Sequence, residues 1–162
     1  MMSNHQPKSR LSLERTFSAP LAEVWALWTT PEGIESWWGP EGFQVTVRAM
    51  DLRPGGVLRY AMTATAPPQV AFMREHGMPL TTESVVTYAQ VEPQRRLAYV
   101  HLVDFVPGHP SYDVTTEVVL EPTPTGVRMV LSFDPMHDET WTGRAVAGWE
   151  SELDKLARRI GA

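Results

Sequence analysis

Few side chains in this chain can do chemistry, and those few stand among aromatics. His101 shares its strand parity with Leu97, Tyr99, Val103 and Phe105. An imidazole on that face can serve as a general base or orient a ligand carbonyl, with Tyr60 or Tyr99 beside it. It can equally be a hydrogen-bonded histidine of the core, and no catalytic residue is assigned beyond this one candidate. Asp134, His137, Asp138 and Glu139 look superficially like a metal cluster. No second histidine sits at ligand spacing, and acidic residues suit the start of a helix, so no metal is expected. Asp51 with Arg53 can bind a charged ligand or satisfy backbone groups around the Gly55-Gly56 turn. The absence of cysteine excludes a disulfide framework, a thiolate zinc site and a cysteine nucleophile. A nucleophile elbow, a phosphate loop, a dinucleotide fingerprint and a paired-histidine helix are all missing, and no cofactor is expected.

What remains is material for binding. Six Trp, four Tyr, five Phe and eight Met are a generous stock for 162 residues, and Met adapts to irregular spaces. Tyr60 and Met62 share a face of one β run, Tyr99, His101 and Phe105 of a second, and Met129 and Phe133 of a third. Trp141 and Trp149 lie on the apolar stripe of the final helix. These residues can line a cavity or simply fill a core. Trp38, in Trp37-Trp38-Gly39-Pro40, can form the lip of a pocket, since indole joins a large apolar face to one N–H donor; the same stretch can be a packing plug. Phe72 belongs to the connection 66–81, which is too long for a hairpin turn. Gln69 to His76 can make two helical turns there, ended by Gly77. A lid over a pocket mouth, a fixed excursion packed on the sheet and a homodimer contact are all open to this segment.

The elements that must position these side chains follow from periodicity. Residues 10–17 alternate apolar and polar, as a half-buried strand does. Pro20 and Thr30-Pro31 are helix-start signals, and Gly39-Pro40 ends the second of two short helices. From 43 to 134 the pattern has period two, less cleanly over 83–91, with turn clusters at Arg53-Pro54-Gly55-Gly56, Pro93-Gln94-Arg95, Pro107-Gly108-His109-Pro110 and Pro122 to Gly126. This makes about seven strands joined mostly by short links, hence an antiparallel sheet. Asp138 caps a last helix of about 23 residues, roughly 34 Å long. Trp141, Ala145, Gly148, Trp149, Leu153, Leu156 and Ile160 form its stripe. A sheet face carrying Tyr60, Tyr99, Phe105 and Phe133 needs a cover, and this helix is the only large one available. The class is α+β, a curved sheet gripping one helix. A twisted sheet and a straight helix do not mate everywhere, so a space between them is expected.

Length and charge bound the rest. A chain of 162 residues is one domain, here 10–162, with a polar and disordered tail at 1–9. A net charge of −5 argues against nucleic acid or an anionic membrane as partner. No stretch reaches the roughly 20 apolar residues of a membrane span, and the start lacks a signal peptide, so a cytoplasmic protein is expected.

Five motifs in order resemble one family. Ser18-Ala19-Pro20 with Val24-Trp25, Thr30-Pro31-Glu32, Trp37-Trp38-Gly39-Pro40, Asp51-x-Arg53-Pro54-Gly55-Gly56, and Gly148-Trp149 with Leu153 and Leu156 look like the heat-shock-protein-90 ATPase activator homologues. That family lies in the START-like, or polyketide-cyclase-like, superfamily. The resemblance runs from about residue 10 to 160 and implies a helix-grip fold with a cavity between sheet and long helix. It implies no shared catalytic residue. Eukaryotic members stimulate a chaperone ATPase with an additional N-terminal domain for which this chain has no room, so a chaperone partner is not expected. The expectation is a protein that holds an apolar or aromatic small molecule. An enzyme of the cyclase or isomerase type acting on such a ligand, and a chaperone-ATPase regulator or protein-interaction module, are the alternatives.

Overall fold

The computed structural model describes residues 10–104 and 106–161; the tail expected at 1–9 and the candidate Phe105 lie outside the described residues. Along the chain run β1 (Leu11–Phe17), α1 (Leu21–Thr29), α2 (Pro31–Glu35), β2 (Phe43–Met50), β3 (Val57–Ala64) and α3 (Pro67–Glu75). Then come β4 (Thr81–Glu92), β5 (Arg96–Val103), β6 (Tyr112–Thr123), β7 (Gly126–Phe133) and α4 (Glu139–Gly161). The strands make one antiparallel sheet in the order β1-β7-β6-β5-β4-β3-β2. Sequential links turn β2 to β7 into a meander, and β1 pairs with β7 at the far edge, Leu11 opposite Phe133 and Phe17 opposite Val127. This is the α+β helix-grip architecture expected from the sequence, with two short helices after the first strand.

One irregularity explains the poor alternation of residues 83–91. The β4–β5 register shifts between Tyr88 and Gln90. Ser84, Val86 and Tyr88 face inward on one side of this bulge, and the half-buried Val91 restarts the inward set beyond it.

The α1–α2 junction shows why a tryptophan is needed beside it. The carbonyl of Leu27 would ordinarily accept from the N–H of residue 31, but Pro31 has none. The indole Nε1–H of Trp37 supplies the missing donor at 2.8 Å. Trp37 is wholly buried and meets Trp28 edge-on, with ring centroids 4.7 Å apart. Thr30 caps α2, accepting the Gly33 N–H at 3.0 Å.

The connection 66–81 carries α3 and is tied back to the loop before β2. Its helix α3 buries Met73, and its Gln69 Nε2 donates to the Glu41 carbonyl at 3.1 Å. The N–H groups of Thr65 and Ala66 donate to the carbonyl of Gly42. Phe72, one step around the helix from Met73, points outward: it is 53% exposed and stacks on His76 at 4.1 Å.

The helix α4 begins where Asp138 Oδ1 accepts the Trp141 N–H at 2.8 Å. Its second half presses Leu153 and Leu156 into the core, both at 0% exposure. Its first half is packed less completely, with Trp141, Ala145, Gly148 and Trp149 only half-buried. No helix among the described residues is long and apolar enough to cross a membrane.

Candidate functional site

Beneath the first half of α4 lies a cavity of about 340 Å³. Two cross-strand rungs make its floor. One is Val86–His101–Val114 across β4, β5 and β6. The other is Tyr99–Thr116–Phe133 across β5, β6 and β7, in which Tyr99 and Phe133 reach the cavity. Tyr60 and Met62 of β3 continue the wall. The roof is one helical face, carrying Trp141, Ala145, Gly148, Trp149 and Glu152 at spacings of three or four residues. Gly148 keeps this roof open: a Cβ built there meets nothing within 4 Å. A glycine inside a helix costs about 1 kcal/mol relative to alanine, so space here is held at the expense of helix stability.

The end wall comes from the tandem tryptophan segment, and the two indoles part company. Trp37 is the packing plug. Trp38 stands on the cavity wall, perpendicular to Tyr60 at 5.4 Å and tilted against Tyr99 at 5.9 Å. The next peptide is gripped by α4 on both sides. Gly39 N–H donates to Glu152 Oε1 at 3.0 Å, and Lys155 Nζ donates to the Gly39 carbonyl at 2.9 Å. Gly39 has φ +91°, a left-handed conformation that favours glycine.

Burial sets the protonation of this end. It pushes the Tyr60 phenol up to about 12, helped by the nearby Glu152 carboxylate. It also holds the Tyr99 phenol well above its ordinary value, with the Tyr60 and Glu152 charges adding to the effect. Burial lowers the His101 imidazole, and Asp113 partly offsets this, so the ring favours its neutral form. The Glu152 carboxyl is raised by burial, against the opposing pull of the Gly39 N–H and the Lys155 ammonium. The wall therefore presents phenols, a neutral imidazole and one carboxyl that ionises reluctantly.

The opposite end reaches the surface. The exposed Arg144 lies over the Trp141 ring, its Cζ 5.0 Å from the centroid. Asp134 is already engaged, accepting from Arg10 Nε at 3.1 Å and from the Thr115 N–H at 2.9 Å. His137 is tied through its Nδ1 to the Tyr112 hydroxyl at 2.7 Å. No cluster of three or more metal-ligating side chains occurs among the described residues. Asp51 chelates Arg53 at 2.8 and 3.0 Å on an exposed turn, and the backbone of that turn bonds to itself and to Tyr88.

Of the candidate residues, Trp38, Tyr60, Met62 and Tyr99 stand on the cavity wall, as do His101, Phe133, Trp141 and Trp149. Two do not. Phe72 faces solvent from α3. Met129 has the expected inward parity but lies four residues from Phe133, roughly 13 Å along the strand. There it is fully buried in the solid part of the core, between Arg15 and Leu120 in register. Parity fixes the face of a strand, not the position along it. Sequence reading also missed Glu152. The signal was present: it is a carboxyl three residues after Trp149 and four after Gly148, on the apolar stripe itself.

A family model described as Activator of Hsp90 ATPase homolog 1-like protein matches residues 18–161. Among solved structures, a protein from Chromobacterium violaceum is 25% identical, with a TM-score of 0.76 over 94% of this chain and 97% of that one. An AHSA1-like protein from Aeromonas hydrophila is 23% identical, with a TM-score of 0.72 over 94% and 92% of the two chains. A protein from Silicibacter pomeroyi is 21% identical, with a TM-score of 0.72 over 94% and 98%. The last two likenesses speak to the fold. No curated protein matches the chain.

Proposed function

The chain belongs to the Activator of Hsp90 ATPase homolog 1-like family, of START-like fold, and on that premise we propose that it is a small-molecule-binding protein. It holds an apolar or aromatic ligand between the inner sheet face and the first half of α4. The observation that carries this reading is the aromatic-walled cavity of about 340 Å³ under Gly148. That size falls within the usual range for ligand pockets, about 300–1,000 Å³. Burying about 300 Å² of apolar ligand surface yields roughly 7 kcal/mol gross. Association costs of at least about 4 kcal/mol reduce this, so weak affinities, in about the millimolar range, are expected from apolar burial alone.

Binding rather than turnover is favoured by the setting of His101. No side chain among the described residues hydrogen-bonds that ring, whereas a general base is ordinarily oriented by a partner. The test is a thermal-shift screen of aromatic and aliphatic compounds against the wild-type chain and Gly148→Leu. At least one class should raise the wild-type Tm in proportion to its concentration, and Gly148→Leu, with its side chain in the cavity, should lose the response while remaining folded. No stabilisation by any class, or an equal response in Gly148→Leu, would overturn the reading.

A further inference from the structure

The cavity has a chemically distinct inner end, where one carboxyl stands among aromatic faces. Glu152 uses Oε1 to accept the Gly39 N–H. No hydrogen bond to its Oε2 occurs among the described residues. The nearest cation, Lys155, sends its Nζ to the Gly39 carbonyl. Arg144, which does stand on the wall, lies eight residues earlier on the same helix, roughly 12 Å away along the axis, and is drawn over Trp141. The inner end therefore holds an acid that Lys155 steadies only from a distance, with no ion pair to it among the described residues. Around it stand Trp38, Tyr60 and Tyr99, packed on one another at 5.4 and 5.9 Å. Across from them Trp149 leans on Phe133 at 6.2 Å. Aromatic faces carry negative quadrupole potential, which adds to the carboxylate rather than opposing it. A positive ligand group there gains from both, and that gain grows when water is excluded.

Resting on the ligand-binding reading above, we propose that the cavity is selective for lipophilic organic cations: an ammonium group sits against Glu152 among Trp38, Tyr60, Tyr99 and Trp149, and an apolar or aromatic body extends toward Arg144 and Trp141. The raised proton affinity of the Glu152 carboxyl fits this arrangement, because burial outweighs the help that the Gly39 N–H and Lys155 give its charged form, and a ligand ammonium adds to that help. Arg144 at the outer end disfavours the reverse orientation.

The experiment is isothermal titration calorimetry at neutral pH with three probes sharing one tail: 4-phenylbutylammonium, 4-phenylbutanol and 4-phenylbutyrate. Wild-type protein and Glu152→Gln are compared, with circular dichroism and melting curves establishing that the variant is folded. The ammonium should bind about tenfold more tightly than the alcohol, with the butyrate weakest. In Glu152→Gln the ammonium and alcohol should bind alike. The three-probe order in the wild-type protein needs no variant and stands alone if Glu152→Gln fails to fold. An alcohol that binds as well as the ammonium would overturn the cation selectivity while leaving a binding cavity. An ammonium preference that survives in folded Glu152→Gln would overturn Glu152 as the anchor. Binding of none of the three, together with a silent thermal-shift screen, would overturn the ligand-binding reading itself.

Discussion

The second half of α4, from Leu153, is packed solid against the sheet, while the first half, Trp141 to Glu152, stands over a cavity. Both halves present an apolar stripe to the same inner sheet face. They differ in side-chain size and in one charge. Leu153 and Leu156 fill the space between helix and strands, whereas Ala145 and Gly148 leave it, and the large Trp149 stands beside the gap. The tandem tryptophans repeat this contrast one residue apart, with Trp37 plugged into the solid side and Trp38 on the hollow side. Stability and binding thus divide between neighbouring positions of the same elements, and substitutions should separate them.

The largest effect should come from the solid half. Leu156→Ala leaves a void at a position with no exposure and should cost about 2–5 kcal/mol, a fall in Tm of roughly 10 °C, read by urea and thermal unfolding. A loss below about 1 kcal/mol would mean that this half is not close-packed. Next, Trp37→Phe and Trp38→Phe remove the same volume, but only the first strands a buried carbonyl, that of Leu27. Trp38 Nε1 is buried without a partner. Trp37→Phe should therefore be the more destabilising by about 1–3 kcal/mol in equilibrium unfolding; equal losses would erase the distinction.

In the hollow half the sign should reverse. Gly148→Ala replaces a helical glycine where a Cβ meets open space, so it should stabilise by about 0.5–1 kcal/mol. A lower Tm would show that the space above Gly148 is not available. The smallest effect is a pH dependence. Glu152 binds its proton more tightly in the folded chain than in the unfolded one. Its contribution to stability is therefore complete below the ordinary value of 4.5 and is lost as pH rises through the raised folded value. Glu152→Gln retains an acceptor for the Gly39 N–H and cannot ionise. Its melting temperature, relative to wild type, should rise with pH across that window and stay level above it. A relative Tm that falls with pH would reverse the sign assigned to this carboxyl.

The architecture was legible because it depends on local pattern. Alternation in β5, β6 and β7 exposes the inward face directly, Thr30-Pro31 writes the start of α2, and Asp138 begins α4. The site was legible only as a set of faces. Tyr60, Tyr99, His101 and Trp149 could be assigned inward from parity and helical spacing, but Met129 has the same credentials and lies in the solid core. Phe72 is apolar in a long connection, as a lid residue would be, yet α3 docks through Met73 and turns Phe72 outward. The bulge after Tyr88 shifts register without leaving a residue-type signature.

By itself the sequence determined the elements, their order, the inward faces and the motifs of the family, because each is set by covalent neighbours and by periods of two or 3.6 residues. Only the tertiary structure decided where along those faces the interior is empty, and that the Glu152 carboxyl and the Gly39 peptide meet at 3.0 Å although 113 residues separate them. A void is a shortfall of volume among side chains from β3, β5, β7, α4 and the tryptophan segment together, and no single one of them encodes it.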